Sequence, residues 1–377
     1  MVDVVISGSG IYTPPEGVAN DELVEAFNGY VGDFNAANAD AIDNGDITAL
    51  QPSSAAFIEK ASGIKHRYVL NKAGIIDKNL MSQQIPSGIH GDDDTPCLQA
   101  EMAIGAAKMA LDNAGLKGED IDYIVCSAST LQRQFPAIGI EVQHHLGAKG
   151  TAIDMMMACS SATFGIIGCI EAVQSGRAKR AMMINPEIFS TLVNQKDRDS
   201  HFIFGDTAVA VIIEAADICK APTQWKILDT KSMTQYSNNI RVNFGPLTRL
   251  EDGDQTNRRD QFFMQEGRKV FKELLPLVTS FLREQMHETD IDVTDLKRMW
   301  LHQANINMNM FAAKKLLGRE PEFLEAPTVL DEYGNTAGAG SIIAFHKYHD
   351  DFVSGEKGLI CSFGAGYSIG SLIIEKV

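Results

Sequence analysis

Hydrophobic positions along this chain fall into two alternating kinds of run from Cys97 onward. Segments with apolar residues at helical spacing are separated by short, nearly continuous apolar stretches. Residues 97–114 (CLQAEMAIGAAKMALDNA) have the helical spacing, and Gly115 supplies a helix stop. Asp122 to Ser127 reads as a buried strand, 136–147 as a helix ending at Gly147, and Ala152 to Met157 as a second strand. Small residues follow (ACSSATFG), then a helix to about Gly176, then strands at Ala181 to Asn185 and Ala208 to Glu214. Strands alternating with helices predict an α/β architecture with a largely buried sheet.

The second half replays this order. Residues 265–287 are helical in pattern, and Asp295 to Trp300 leads into a strand. A helix over 307–317 stops at Gly318, and a strand is expected near Thr328. A glycine-rich turn (GNTAGAG), a helix to about His349 and a strand from Gly358 to Ser362 complete the series. Aligning EDIDYIVCSAST with TDLKRMWLHQAN sets Ser127 opposite His302 and Ser160 opposite Asn335, the pattern of an internal duplication. The expected division is 1–220 and 221–377. Such a fold would bring the ends of equivalent strands together at a pseudo-twofold axis. The N-terminal region differs: after a β-like run at Val2 to Ser7, polar stretches at about 28–52 and 71–95 read as loops or a cap. Asp92, Asp93 and Asp94 in the second read as a solvated loop.

Composition narrows the class. Hydrophobic content of 45% and charged content of 22% are those of an ordinary globular protein, and 377 residues suit about two domains or one duplicated large one. No run of about 18 apolar residues marks a membrane span, and MVDVVISGSG lacks a signal-peptide pattern, which points to the cytoplasm. A net charge of −16 argues against nucleic-acid binding and leaves docking of an acidic partner to local basic clusters. Cys97, Cys126, Cys159, Cys169, Cys219 and Cys361 show no C-x-x-C spacing, which argues against zinc and thioredoxin-like chemistry.

Three residues carry candidate chemistry. Cys159 stands where a strand gives way to a helix, among small residues. There, free N–H groups and the helix dipole would lower a thiol pKa and raise its thiolate fraction. A buried structural cysteine is the other reading. His302 ends an apolar run (W-L-H-Q-A-N), where a neutral imidazole could donate to an oxyanion or simply be a satisfied histidine. Asn335, beside Gly334, is either turn chemistry or a donor.

In combination, C-S-S-A at Cys159, F-G-D-T-A at 204–208, H-Q-A-N at 302–305, G-N-T at 334–336 and F-G-A-G at 363–366 resemble the β-ketoacyl-acyl-carrier-protein synthase III branch of the thiolase superfamily. The resemblance covers most of 97–377, the N-terminal strand and G-I-K-H-R at 63–67. It implies a thiolase-like fold, duplicated α/β halves in a five-layer αβαβα arrangement. It implies a catalytic Cys159, His302 and Asn335, with the backbone N–H groups of Cys159 and Ala365 as oxyanion hole. Substrate contacts are implied at Phe135, Arg198, Phe204 and Asn305. In the family, a residue like Phe135 crosses a dimer interface and gates the acyl pocket; ordinary core packing is its other reading. An arginine like Arg198 lies near the CoA nucleotide; a solvated surface charge is the alternative. Asp206 reads as structural.

The activity implied is decarboxylative Claisen condensation of an acyl-CoA with malonyl-acyl-carrier protein in fatty acid biosynthesis. Acyl-CoA, acyl carrier protein and a second copy of the chain are the implied partners, without a metal or redox cofactor. The third-position Asn favours this branch over synthases with two histidines. Departures bear on the substrate. Phe57 and Ala61 stand where the short-chain enzyme has a Trp and an Arg on the CoA adenine. Asn307 replaces a basic docking residue, with Lys314 and Lys315 further along the helix. Relative to the compact enzyme of the family, the chain carries cap insertions near 28–56 and 70–95, and a medium or long acyl chain is therefore expected. Head-to-head acyl-CoA condensation, a secondary-metabolite starter, a hydrolase and a non-catalytic synthase-like partner are the alternatives weighed. The hydrolase is disfavoured because Asn335 stands where a carboxylate should orient the base.

Overall fold

Alternation along single strands sets the layers. In β4 (Tyr123–Ser127), Tyr123 and Val125 face one side and Ile124 and Cys126 the other, and all four are buried. A strand buried on both faces needs cover on both. The structure, a computed structural model, describes residues 2–85, 95–243 and 261–377.

The first half runs β1 (Val4–Tyr12), β2 (Glu16–Ala19), α1 (Asn20–Ala37), α2 (Ala39–Asp43), α3 (Ala55–Ser62) and β3 (His66–Val69). It continues with α4 (Leu98–Ala114), β4, α5 (Ile138–Leu146), β5 (Thr151–Met155), α6 (Ser161–Gln174), β6 (Arg180–Ile188) and β7 (Asp206–Ala215). The second half runs β8 (Trp225–Ser237), β9 (Ile240–Arg241), β10 (Met264–Gln265), α7 (Gly267–Glu288), β11 (Leu296–Leu301), α8 (Ile306–Leu317) and α9 (Leu330–Tyr333). It ends with α10 (Gly340–Lys347), β12 (Lys357–Gly364) and β13 (Gly366–Lys376).

Nine strands form one sheet in the order β5-β4-β6-β7-β1-β8-β13-β12-β11. From the β1–β8 joint outward, the two halves repeat: β1-β7-β6-β4-β5 against β8-β13-β12-β11. The joint is slight, pairing only Val5 with Lys226 and Ile6 with Trp225. Packing binds the halves instead. α6 and α10 lie between them, with Ile166, Ile170, Ile342 and Phe345 packed in one cluster with Val125 and Met183 of one half and Trp300 and Leu372 of the other. α4 and α5 cover the outer face of the first half, and α7 and α8 that of the second. The result is the five-layer αβαβα arrangement. Each fully buried Leu, Ile or Phe here contributes about 1.5–3 kcal/mol, so these layers outweigh a two-pair ladder.

Two expectations are corrected. No strand forms near Thr328: residues 326–329 are irregular and lead into α9, and Val329 N donates to the buried Gln303 Oε1 at 3.0 Å. A side chain takes the place of a neighbouring strand. Residues 28–52 are not all irregular either. α1 runs to Ala37 because Leu23, Ala26, Phe27 and Val31 bury one helical face, and α2 follows. With α3, β2 and β3, these elements build a cap whose Val18, Leu23, Ile58 and Ile64 pack on Phe202 and Leu330. Asp92, Asp93 and Asp94 lie outside the described residues.

Candidate active site

The chain reaches Cys159 through a sharp turn. Ala158 has φ +46, a conformation disfavoured for a residue with a side chain, and one 3-10 turn (Ala158–Ser160) then feeds α6. Met157 N donates to Ser161 Oγ at 2.9 Å and Ser160 Oγ to Ser368 O at 3.0 Å, which fixes the turn to the second half. Gly364 leans on the cysteine: a Cβ there would sit 2.5 Å from Cys159 Cβ and 3.1 Å from its Sγ. The backbone N–H groups of Ala365 and of Cys159 itself favour the charged form of the sulfur.

The thiol nevertheless corrects the sequence expectation. Burial pushes it up to about 12, the nearby Glu187 carboxyl adds to the rise, and the two N–H groups only partly oppose it. Desolvation outweighs the helix start.

His302 follows the last residue of β11. It is buried with its edge toward Phe363, ring centroids 5.3 Å apart, and its Nδ1 has no hydrogen-bond partner among the described residues. Burial pushes its pKa down to about 4, so the ring is neutral. Asn335 follows Gly334, whose φ is +66. Its backbone interlocks with the Phe204 loop: Asn335 N donates to Ile203 O at 2.9 Å and Gly205 N to Asn335 O at 3.1 Å. Its Oδ1 accepts from Ala337 N at 2.9 Å, which leaves the Nδ2 amide as the group that can donate elsewhere. Asn305 caps α8, its Oδ1 accepting from Met308 N at 3.0 Å.

Cys159, His302, Asn335, Phe204 and Asn305 line one cavity of about 160 Å³. Three distant segments thus meet there. Neutral donors from His302 and Asn335 and a buried thiol make a site that can hold an acyl group covalently and stabilise an oxyanion or enolate.

Arg198 and Phe135 lie elsewhere. Arg198 lines an adjoining groove of about 670 Å³ with Lys196, Arg241 and Arg268, and the two spaces share Asp199, Phe263 and Gln265. Its guanidinium lies over Phe57 at 4.3 Å, and its Nε donates to Pro52 O at 2.8 Å. Phe135 is 83% exposed and does not line the Cys159 cavity of its own chain. Asp206 is buried, accepting from Ser190 N at 2.9 Å and Ser190 Oγ at 2.7 Å.

Sequence reasoning missed Phe189, Phe263 and Glu187, and held Gly364 only as one letter of F-G-A-G. Phe189 stacks on Phe204 at 4.0 Å, Phe263 meets Phe204 edge-on at 4.8 Å, and the three cluster with Cys159. Glu187 is fully buried; its sequence signal was one carboxylate inside the apolar run AMMINPEIF. Of the other cysteines, Cys126, Cys169 and Cys361 sit in the hydrophobic layers as small apolar residues.

Comparison with known proteins gives the following. Residues 286–376 match the family model described as 3-oxoacyl-[acyl-carrier-protein] synthase III C terminal, and residues 153–235 match the 3-oxoacyl-[acyl-carrier-protein] synthase III model. The chain is 50% identical over 353 residues to a beta-ketodecanoyl-[acyl-carrier-protein] synthase of Pseudomonas aeruginosa, covering 94% of this chain and 100% of that protein. It is 30% identical over 292 residues to a beta-ketoacyl-[acyl-carrier-protein] synthase III of Brucella anthropi, covering 76% and 86%. A crystal structure of 3-oxoacyl-(acyl carrier protein) synthase III from Pseudomonas aeruginosa superposes with a TM-score of 0.75 at 21% identity, covering 99% and 98%, and shares the fold.

Proposed function

The chain belongs to the β-ketoacyl-acyl-carrier-protein synthase III family, and from that premise we propose that it condenses a medium-chain acyl-CoA with malonyl-acyl-carrier protein in fatty acid biosynthesis. The observation that carries the proposal is the meeting of Cys159, His302 and Asn335 in one cavity.

Cys159 attacks the acyl thioester carbonyl. The Cys159 and Ala365 N–H groups, which favour negative charge at the sulfur, receive the oxyanion, and CoA leaves with the thiol proton. Malonyl thioester then enters and loses CO₂. The resulting enolate oxygen takes hydrogen bonds from His302 and the Asn335 Nδ2 amide. A neutral imidazole suits that task, because it donates without itself supplying a proton. The carbanion attacks the acyl-Cys carbonyl, and the β-ketoacyl thioester departs as Cys159 is regenerated. Decarboxylation supplies the carbanion, so the reading calls for no cofactor.

Medium chain length is favoured by the 50% identical relative, named for a β-ketodecanoyl product. A ten-carbon β-keto acid built this way takes two carbons from malonyl and eight from the primer. Arg198, held against Phe57 beside the cavity mouth, is assigned to CoA phosphate or adenine. Phe204 and Asn305 are assigned to the acyl and pantetheine path they line. No described helix is long and apolar enough to cross a membrane, and we read the enzyme as cytoplasmic, where its thioester substrates occur. We read it as a homodimer in which the exposed Phe135 inserts into the partner.

The test is intact-mass analysis after incubation with an acyl-CoA series, paired with CO₂ release from malonyl-acyl-carrier protein. Octanoyl-CoA should label wild type fastest and leave Cys159→Ser unlabelled. Faster labelling by acetyl-CoA overturns the chain length; labelling without CO₂ release overturns the condensation.

A further inference from the structure

Glu187, which no step above uses, lies at the end of β6 with its side chain fully buried. Its Oε1 accepts from Ser129 N at 2.8 Å and from Asn185 Nδ2 at 3.0 Å, and its Oε2 is 3.3 Å from the Thr130 hydroxyl. All three donors are neutral, and among the described residues none of the groups that perturb Glu187 is cationic. A charge buried with neutral donors only is a poorly compensated one.

Two contacts tie this carboxyl to the reacting groups. Gly338, three residues past Asn335, is tightly packed: a Cβ there would lie 3.0 Å from Asn185 Nδ2 and 3.3 Å from Glu187 Oε1. The Asn335 loop therefore rests on the Asn185–Glu187 pair. On the other side, the Asn185 amide that holds Glu187 also donates to Ser127 O, and Ser127 Oγ donates at 2.6 Å to Ser161 O, two residues past Cys159; the Glu187 charge raises the Cys159 pKa. The remaining titratable groups facing this centre are Cys126 on the adjacent strand, kept neutral by burial, and His302 and Asp199 along the cavity wall.

We propose that Glu187 is a positioning residue that limits the site to one buried negative charge. Protonated, it permits the Cys159 thiolate; ionised, it opposes it, while its oxygens hold the turn at Ser129 and the bed of the Asn335 loop. Like charges in one desolvated site cannot both form freely. Burial pushes the Glu187 carboxyl up to about 7, so both of its states are populated near neutrality. The inference rests on the reading of Cys159 as nucleophile.

The experiment is the pH dependence of Cys159 alkylation by iodoacetamide, located by mass spectrometry, for wild type, Glu187→Gln and Glu187→Asp. In Glu187→Gln the logarithm of the rate should climb evenly with pH. In wild type it should match at pH 6, then flatten through pH 7, ending about tenfold slower at pH 9. Glu187→Asp, which keeps the charge, should restore the break. Coincident profiles for wild type and Glu187→Gln overturn the proposal, since a merely structural role would leave the profile unmoved.

Should Glu187→Gln fail to fold, infrared difference spectra of wild type decide. A buried protonated carboxyl band should vanish as pH rises through 7, and its absence at pH 6 overturns the proposal. Alkylation needs no substrate. An altered profile without acyl labelling therefore sinks the proposed function and leaves this inference standing.

Discussion

At the residue scale the site is a set of deliberate departures from ordinary protonation. His302 is neutral because burial pushes its pKa down to about 4, and Cys159 is a thiol because burial pushes its pKa up to about 12. The signs are opposite because the charged form of His is the acid and that of Cys is the base. Above pH 6 His302 stays neutral and keeps the one N–H it donates, so decarboxylation of malonyl-acyl-carrier protein should be level from pH 6 to 9. His302→Ala should lower CO₂ release by on the order of 10²–10³-fold, the cost of one oxyanion donor, and leave acyl labelling of Cys159 nearly unchanged. Equal loss of labelling would make His302 the base for Cys159 instead. Gly364→Ala would drive a methyl into Cys159 Cβ at 2.5 Å. It should cost about 1–3 kcal/mol of stability and cut acyl labelling more than tenfold, checked by thermal melts and intact mass.

Cys159, His302 and Asn335 were legible from the sequence because five short motifs occur in order and a duplicated register sets Ser127 against His302. The ionisation of Cys159 was not legible. Helix-start placement is a local property read from neighbours, whereas desolvation depends on His302, Phe204 and Gly364 arriving from far along the chain. Glu187 and Phe189 were missed for the same reason: the strand is read only to Asn185, and nothing local says which residues just beyond it meet the nucleophile.

At the scale of elements, legibility followed burial. α4, α5, α6, β4 and β6 fall within a few residues of their expected spans, because each is a run of core residues closed by a glycine or a turn. β8 went unread. Its sequence, WKILDTKSMTQYS, is mostly half-buried and exposed, and its place is set by pairing with β13 and β1 rather than by an apolar pattern. The second half of α1 reads as loop because its residues from Asn28 on are mostly polar or small, with Val31 the last one buried.

We expect one small element to set substrate length. The turn Phe189–Leu192 after β6 separates the Cys159 cluster from a second, largely apolar cavity of about 590 Å³ lined by Leu98, Leu131, Met156, Ile188 and Leu192. Leu192 lines the second cavity and packs against the Cys159 cluster. Leu192→Ala should join them and move the preferred primer to longer chains by several carbons, at about 2–5 kcal/mol of stability. Intact-mass labelling across a C4 to C16 acyl-CoA series reads the shift; an unchanged optimum would place the acyl tail elsewhere.

For the whole molecule, the two ends of the nine-stranded sheet are unlike. The β11 end is covered: Arg298 Nε donates to Leu324 O, at 2.5 Å, and its guanidinium pairs with Asp351. The β5 end carries exposed Thr151 and an exposed Met156, 56% accessible. Asp154 of β5 also receives Ile138 N at 2.8 Å and Gly139 N at 2.7 Å, which brings the segment after Phe135 to the same edge. An open strand edge flanked by apolar side chains invites a like edge, and a twofold pairing closes the assembly. The proposed dimer therefore forms β5 to β5, with Phe135 the side chain most able to reach across. Phe135→Asp with Met156→Lys should yield monomers of about half the sedimenting mass. If Phe135 completes the partner's acyl pocket, Phe135→Ala alone should keep the dimer and alter the chain-length optimum. A dimeric Phe135→Ala with the wild-type optimum would confine Phe135 to the interface, and a dimeric charged double variant would move the interface off this edge.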